Sequence, residues 1–112
     1  MSLFIDPATD QVEAAAESGA DCIELHTGTY ANARGSEQVA LRLDELTQAA
    51  QLATSLGLRV YAGHGLNYVN VQPVAAIPEV EELNIGHSIV SRAVFAGLDM
   101  AVREMKSLID AS

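Results

Sequence analysis

The stretch Cys22-Ile23-Glu24-Leu25-His26-Thr27-Gly28 decides how the rest of the chain is read. Its apolar run is too short for a helix and meets a Thr-Gly turn signal, so it predicts a buried strand. Similar runs span Leu3 to Ile5, Leu58 to Ala62 and Leu83 to Ile85, and each is followed by helical periodicity. Strand and helix therefore alternate through four βα units, the pattern of an α/β protein with a parallel sheet. All three histidines stand where these strands end: His26 closes Cys22 to Leu25, His64 follows Val60-Tyr61-Ala62-Gly63, and His87 follows Leu83-Asn84-Ile85-Gly86. Parallel sheets and barrels gather ligands and catalytic groups at the carboxyl ends of their strands, so this placement predicts a site on that rim.

Working outward, the first helix is expected to start near Thr9 or Asp10, with Glu13 completing a capping box on Asp10, and to stop at Ser18-Gly19. The second runs from Ser36 to Leu56, carries Val39, Leu43, Leu46, Ala50 and Ala53 on one stripe, and ends in Gly57. Between Asn67 and Ala76 the presence of Pro73 allows only a short helix, and Pro78 separates it from the last strand. After His87 a helix from Ser88 to Ala96 is broken by Gly97, and a longer one continues through Val102, Met105 and Ile109. Eight-unit barrels often carry such an extra helix after the last strand, where its N-terminus helps hold a phosphate.

Four βα units are half of what a (β/α)8 TIM barrel needs, so residues 1–112 are expected to form one (βα)4 half-barrel domain. The chain opens inside its first strand, and Met1 reads as a start imposed on a truncated sequence. Open strand edges and an uncovered inner face would favour pairing with another chain, which predicts a homodimer or larger oligomer.

Fifteen acids against six Lys and Arg give a net charge of −9, which opposes nucleic acid and anionic membranes as partners. Phosphorylated small molecules remain eligible, because backbone N–H groups at helix N-termini bind phosphate without lysine. Met1 to Ile5 is too short an apolar run for a signal peptide or membrane span, so a cytoplasmic protein is expected. The single Cys22 has no partner and is expected to be a buried structural thiol.

Glu24 is the strongest chemical signal after the histidines. Strand alternation puts it on one face with Cys22 and His26, and a carboxylate inside an apolar strand needs a task or a partner; Arg59 is the structural alternative. His64 lies between Gly63 and Gly65, whose freedom lets the backbone approach a ligand, and its imidazole suits proton transfer; a ring satisfied by backbone groups is the structural alternative. Gly86, His87 and Ser88 open the extra helix, where amides could bind phosphate oxygens or Ser88 could cap the helix. His26 with Thr27-Gly28 either binds substrate or shapes the turn, and Asp6-Pro7 is explained as turn chemistry. A metal site from His26, His64, His87 and Glu24 has suitable ligand types but no local pair such as His-x-His to anchor it.

The blocks Ile23-Glu24-Leu25-His26-Thr27-Gly28, Ala62-Gly63-His64-Gly65-Leu66 and Glu82-Leu83-Asn84-Ile85-Gly86-His87-Ser88-Ile89 resemble, in order and spacing, the pyridoxine 5′-phosphate synthase family. Ser2-Leu3-Phe4-Ile5-Asp6 and Arg92-Ala93-Val94 extend the resemblance over essentially the whole chain, onto the C-terminal half of the family's barrel. It implies a cofactor-free, oligomeric TIM-barrel enzyme of vitamin B6 synthesis. Such an enzyme joins 1-deoxy-D-xylulose 5-phosphate to 3-amino-2-oxopropyl phosphate and releases phosphate and water. By that resemblance His64 would be the proton donor, Glu24 would stabilise charge in the transition state, and Gly65, Gly86 and His87 would bind the amino-ketone phosphate. The family's proton-accepting His and Glu, and its basic residues for deoxyxylulose phosphate, have no counterpart here, so the chain alone is expected to be inactive. Two other readings stand beside this one: a phosphate-ligand binding or assembly module that oligomerises through exposed strands, and a metal-dependent lyase or isomerase.

Overall fold

The structure, a computed structural model, describes residues 2–112. Four strands, β1 (Ser2–Ile5), β2 (Cys22–His26), β3 (Arg59–Gly63) and β4 (Val80–Asn84), form one parallel sheet in the order β1-β2-β3-β4. Helix α1 (Thr9–Glu17) joins the first two strands, and α2 (Gly28–Ala31) and α3 (Ser36–Ser55) join the next two. Helix α4 (Val71–Ala75) precedes β4, while α5 (His87–Ala96) and α6 (Leu98–Asp110) follow it. This is the repeated βα order expected from the apolar runs, with neighbouring strands joined by crossovers, as parallel pairing requires.

The sheet buries one face only. Ile23, Leu25, Val60 and Ala62 are fully buried there against Val12 and Ala15 of α1 and Leu46, Ala50 and Ala53 of α3. The predicted α3 stripe lies on the sheet, with Val39 and Leu43 packed at its margin. Gly57, at φ +84°, ends this segment in the left-handed conformation that favours glycine and turns the chain into β3. In-register partners share a face in a parallel sheet, so Phe4, Glu24 and Tyr61 lie side by side on the other, uncovered face, with Glu82 paired to Tyr61.

Several expectations are corrected. The capping box on Asp10 does not form: the helix starts at Thr9, within the expected start, but Ala8 occupies the N-cap without a side-chain bond, and Asp10 Oδ1 accepts instead from the Gln11 amide. Cys22 is half-buried rather than buried, because it lies on the uncovered face with Glu24 and His26. The last strand spans Val80–Asn84 rather than Leu83 to Ile85; its acidic start, Glu81 and Glu82, hid it from a search for apolar runs, and a register irregularity faces it at Val60/Tyr61. The Thr27-Gly28 turn signal opens a short helix, α2, that the turn alone does not predict.

Helix α5 buries none of its residues, whereas α6 buries Ala101 and Met105. The two are clamped by a bidentate pair, Arg92 Nε and a terminal nitrogen donating to the Glu104 carboxylate at 3.0 and 3.1 Å. That pairing holds the Glu104 carboxyl below its ordinary range and raises the guanidinium. Among the described residues no helix is long and apolar enough to cross a membrane. Because Leu46 of α3 is 1% exposed within the core cluster, Leu46→Ala is expected to cost about 2–5 kcal/mol in a denaturant titration. A loss under about 1 kcal/mol would mean that α3 does not anchor the sheet.

Candidate active site

The carboxyl ends of β2, β3 and β4 open on a cavity of about 770 Å³ lined by Glu24, His64, Gly65, Asn84, Gly86 and His87, with Phe4 and Leu66 as apolar walls. All five residues singled out from the sequence, Glu24, His64, Gly65, Gly86 and His87, therefore border one space. No lysine or arginine lines it among the described residues. Nor, among those residues, are three His, Cys, Asp or Glu side chains grouped as they would be to hold a metal ion.

Glu24 reaches diagonally over β3 toward β4, where its Oε1 accepts a hydrogen bond from Asn84 Nδ2. The pair crosses above Gly63: a Cβ there would stand 3.0 Å from Glu24 Oε2 and 3.0 Å from both Asn84 Cβ and the Asn84 carbonyl oxygen. The lack of a side chain at residue 63 thus makes the carboxylate's path. Arg59, the alternative partner foreseen for Glu24, instead approaches the exposed Glu81 at 3.7 Å. Its register partner is Cys22, two residues before Glu24, which puts it toward the amino end of the sheet.

His64 occupies the left-handed region, at φ +89°, and is the only described non-glycine residue to do so. Gly65 follows at φ +79°. Holding a side-chain-bearing residue in this region costs on the order of 1–3 kcal/mol and persists only where surrounding structure enforces it. Thr27 supplies part of that enforcement. It is fully buried, its Oγ1 donates to the His64 carbonyl oxygen, and its amide donates to the Gly63 carbonyl at 2.9 Å. His26 Nδ1 accepts from the Gly28 amide at 3.2 Å, which is the turn-shaping alternative for that residue, and its ring stacks on His64 with centroids 4.6 Å apart.

The third wall is the start of α5. Gly86 is its N-cap and His87 its first residue, with no side-chain cap bond. The amides of the first turn are therefore open to an anion, and the helix dipole adds to the attraction. A Cβ on Gly86 would meet nothing within 4 Å, so packing does not require glycine there and the space before it belongs to the cavity. Ser88, the foreseen cap, does something else: its Oγ donates to the Leu66 carbonyl at 2.9 Å and ties the α5 entry to the β3–α4 loop. Asn84 beside Glu24 is a neighbour that the sequence reading did not single out, although it follows its strand's apolar residues on the rim that the histidines mark, whereas Thr27 takes part in the turn foreseen with His26.

An open parallel α/β sheet with a carboxylate, an imidazole and free helix amides around one rim cavity is the arrangement in which α/β proteins bind small ligands. Comparison gives the family. Residues 1–111 match the family described as "Pyridoxal phosphate biosynthesis protein PdxJ", and the chain belongs to it. It is 60% identical to the pyridoxine 5′-phosphate synthase of Synechococcus sp. (strain JA-2-3B'a(2-13)), covering 100% of this chain and 47% of that protein. It is 57% identical to the synthase of Geobacter sulfurreducens, over 97% of this chain and 46% of that protein. The chain spans about half the length of the curated relatives it matches.

Since Gly63 keeps the path of Glu24 clear, Gly63→Ala is expected to destabilise the protein by about 1–3 kcal/mol. Urea unfolding measures this, and a neutral substitution would show that the carboxylate–amide pair is free to move aside.

Proposed function

We propose that this chain supplies the acid-bearing part of a pyridoxine 5′-phosphate synthase site, within a half-barrel whose remaining site groups lie outside these 112 residues. The observation that carries the reading is the common cavity of Glu24, His64, Gly65, Gly86 and His87. The substrates would be 3-amino-2-oxopropyl phosphate and 1-deoxy-D-xylulose 5-phosphate, the first an amine and the second a ketone. Condensation of amine with ketone expels water, so a proton must reach the departing oxygen while positive charge grows on nitrogen. In this reading His64 delivers that proton and the Glu24 carboxylate faces the cationic nitrogen. The open amides of Gly86 and His87, the His87 side chain and the Gly65 backbone hold the amino-ketone phosphate. Neither a cofactor nor a metal enters the scheme.

Isolated, the chain binds but does not turn over, since ring closure needs acid and base held together around both substrates. Calorimetric titration with 3-amino-2-hydroxypropyl phosphate, a stable reduced analogue, tests this. Binding that His87→Ala weakens about tenfold or more, without pyridoxine 5′-phosphate forming from the two true substrates, is the expected result. No binding, or any product formation by the chain alone, would overturn it.

In this reading the chain also self-associates in the cytoplasm, as it would if it were a phosphate-ligand assembly module. Self-association is supported by Val90, Val94, Phe95 and Leu98, which are 61 to 87% exposed on α5 and at the start of α6. Apolar side chains at this density favour a partner surface. Sedimentation equilibrium should find a dimer or larger species that Phe95→Glu disperses; a monomer at high concentration argues against it.

A further inference from the structure

The cavity accounts for what His64 faces, but a histidine at positive φ also needs something behind it. Three consecutive residues at the end of β2 meet that need. The two carbonyls around the strained position, those of Gly63 and His64, both accept hydrogen bonds from Thr27, one from its amide and one from its hydroxyl. Thr27 is the only fully buried polar side chain among the described residues, so this hydroxyl has no water to trade for.

The neighbouring His26 acts on the ring rather than the backbone. Because its Nδ1 accepts from the Gly28 amide, the hydrogen of the neutral ring sits on Nε2 and the ring plane is set. Phe4 packs edge-on against His26 at 5.1 Å and 78°, and His64 stacks on it with an interplanar angle of 27°. Gly28 is the space that admits both rings: a Cβ there would fall 2.4 Å from His26 Cε1 and 3.2 Å from His64 Cδ2. His26 itself is absent from the cavity lining, so whatever it does for the chemistry passes through His64.

We propose that His26 and Thr27 are positioning residues for His64, Thr27 fixing its backbone in the left-handed conformation and His26 fixing its ring by stacking. The consequence for catalysis rests on the function proposed above, whereas the geometry does not. The test is therefore spectroscopic, on the 112-residue chain itself, with the imidazole Cε1–H resonances of His64 read beside those of His87. Thr27→Val keeps the shape but removes the donor; it should shift and broaden the His64 signals and leave His87 unmoved, and Thr27→Ser should restore them. His26→Ala should remove the ring-current contribution to the His64 shift, and His26→Phe, which keeps a stacked ring, should retain most of it. His64 signals that are the same in Thr27→Val and His26→Ala as in the parent would overturn the proposal. If Thr27→Val fails to fold, the two His26 variants decide, with unchanged His64 signals in both overturning it. Titration with inorganic phosphate, followed on His87, separates the two readings: absence of binding counts against the phosphate site while the His64 signals still judge the positioning.

Discussion

A parallel sheet with helices on one side must commit alternate residues to opposite fates, and that constraint organises everything else here. Ile23, Leu25, Val60 and Ala62 are consigned to the helices, so Glu24, His26, Tyr61 and Asn84 necessarily take the other face. A slip of one residue in β2 would bury the carboxylate and expose Ile23 and Leu25, reversing the core and the site together. Core packing and site placement are thus a single decision, made by hydrophobic burial and inherited by the chemistry.

The rim, by contrast, is held by polar groups that tie successive loops together. Thr27 joins the end of β2 to His64, the Tyr30 hydroxyl donates to the Asn70 carbonyl at 2.7 Å, and Ser88 joins α5 to Leu66. Burial pushes the Tyr30 phenol up, which keeps it a donor across the ordinary pH range. Within the β3–α4 loop, Asn67 Oδ1 accepts from the amides of Val69 and Asn70, and Asn70 Oδ1 accepts from the amide of Asn67. Gly65 lies so close to Ala31 that a Cβ there would come within 2.8 Å. Loops cross-linked in this way present their groups in one arrangement, as a preorganised site requires.

Where local patterns misled, the reason lies in the turn, strand register or sheet face that each residue occupies. Asp10 had the right spacing from Glu13 for a capping box, yet Gln11 bonds the Asp6 amide and the helix begins beyond Ala8, so the turn geometry overrode the motif. Arg59 was a plausible partner for Glu24 by charge alone, but register puts it level with Cys22 and beside Glu81. Cys22 looked buried because its neighbours are apolar, although alternation gives it the uncovered face. Glu81 and Glu82 concealed the first half of β4, since an edge strand facing an open side needs no apolar run.

The sequence by itself determined the four βα units, the buried stripe of α3, the rim carrying His26, His64 and His87, and the shared face of Cys22, Glu24 and His26. Each of these follows from periodicity or turn chemistry within a few residues, where covalent geometry leaves little choice. Only the tertiary structure decided that Glu24 lies over Gly63 against Asn84, that Thr27 holds the strained His64, and that Ser88 bonds Leu66 rather than capping its helix. Those contacts join residues 60, 37 and 22 positions apart, and hydrogen-bond partners at such separations are chosen by strand register and loop packing, which no local pattern encodes.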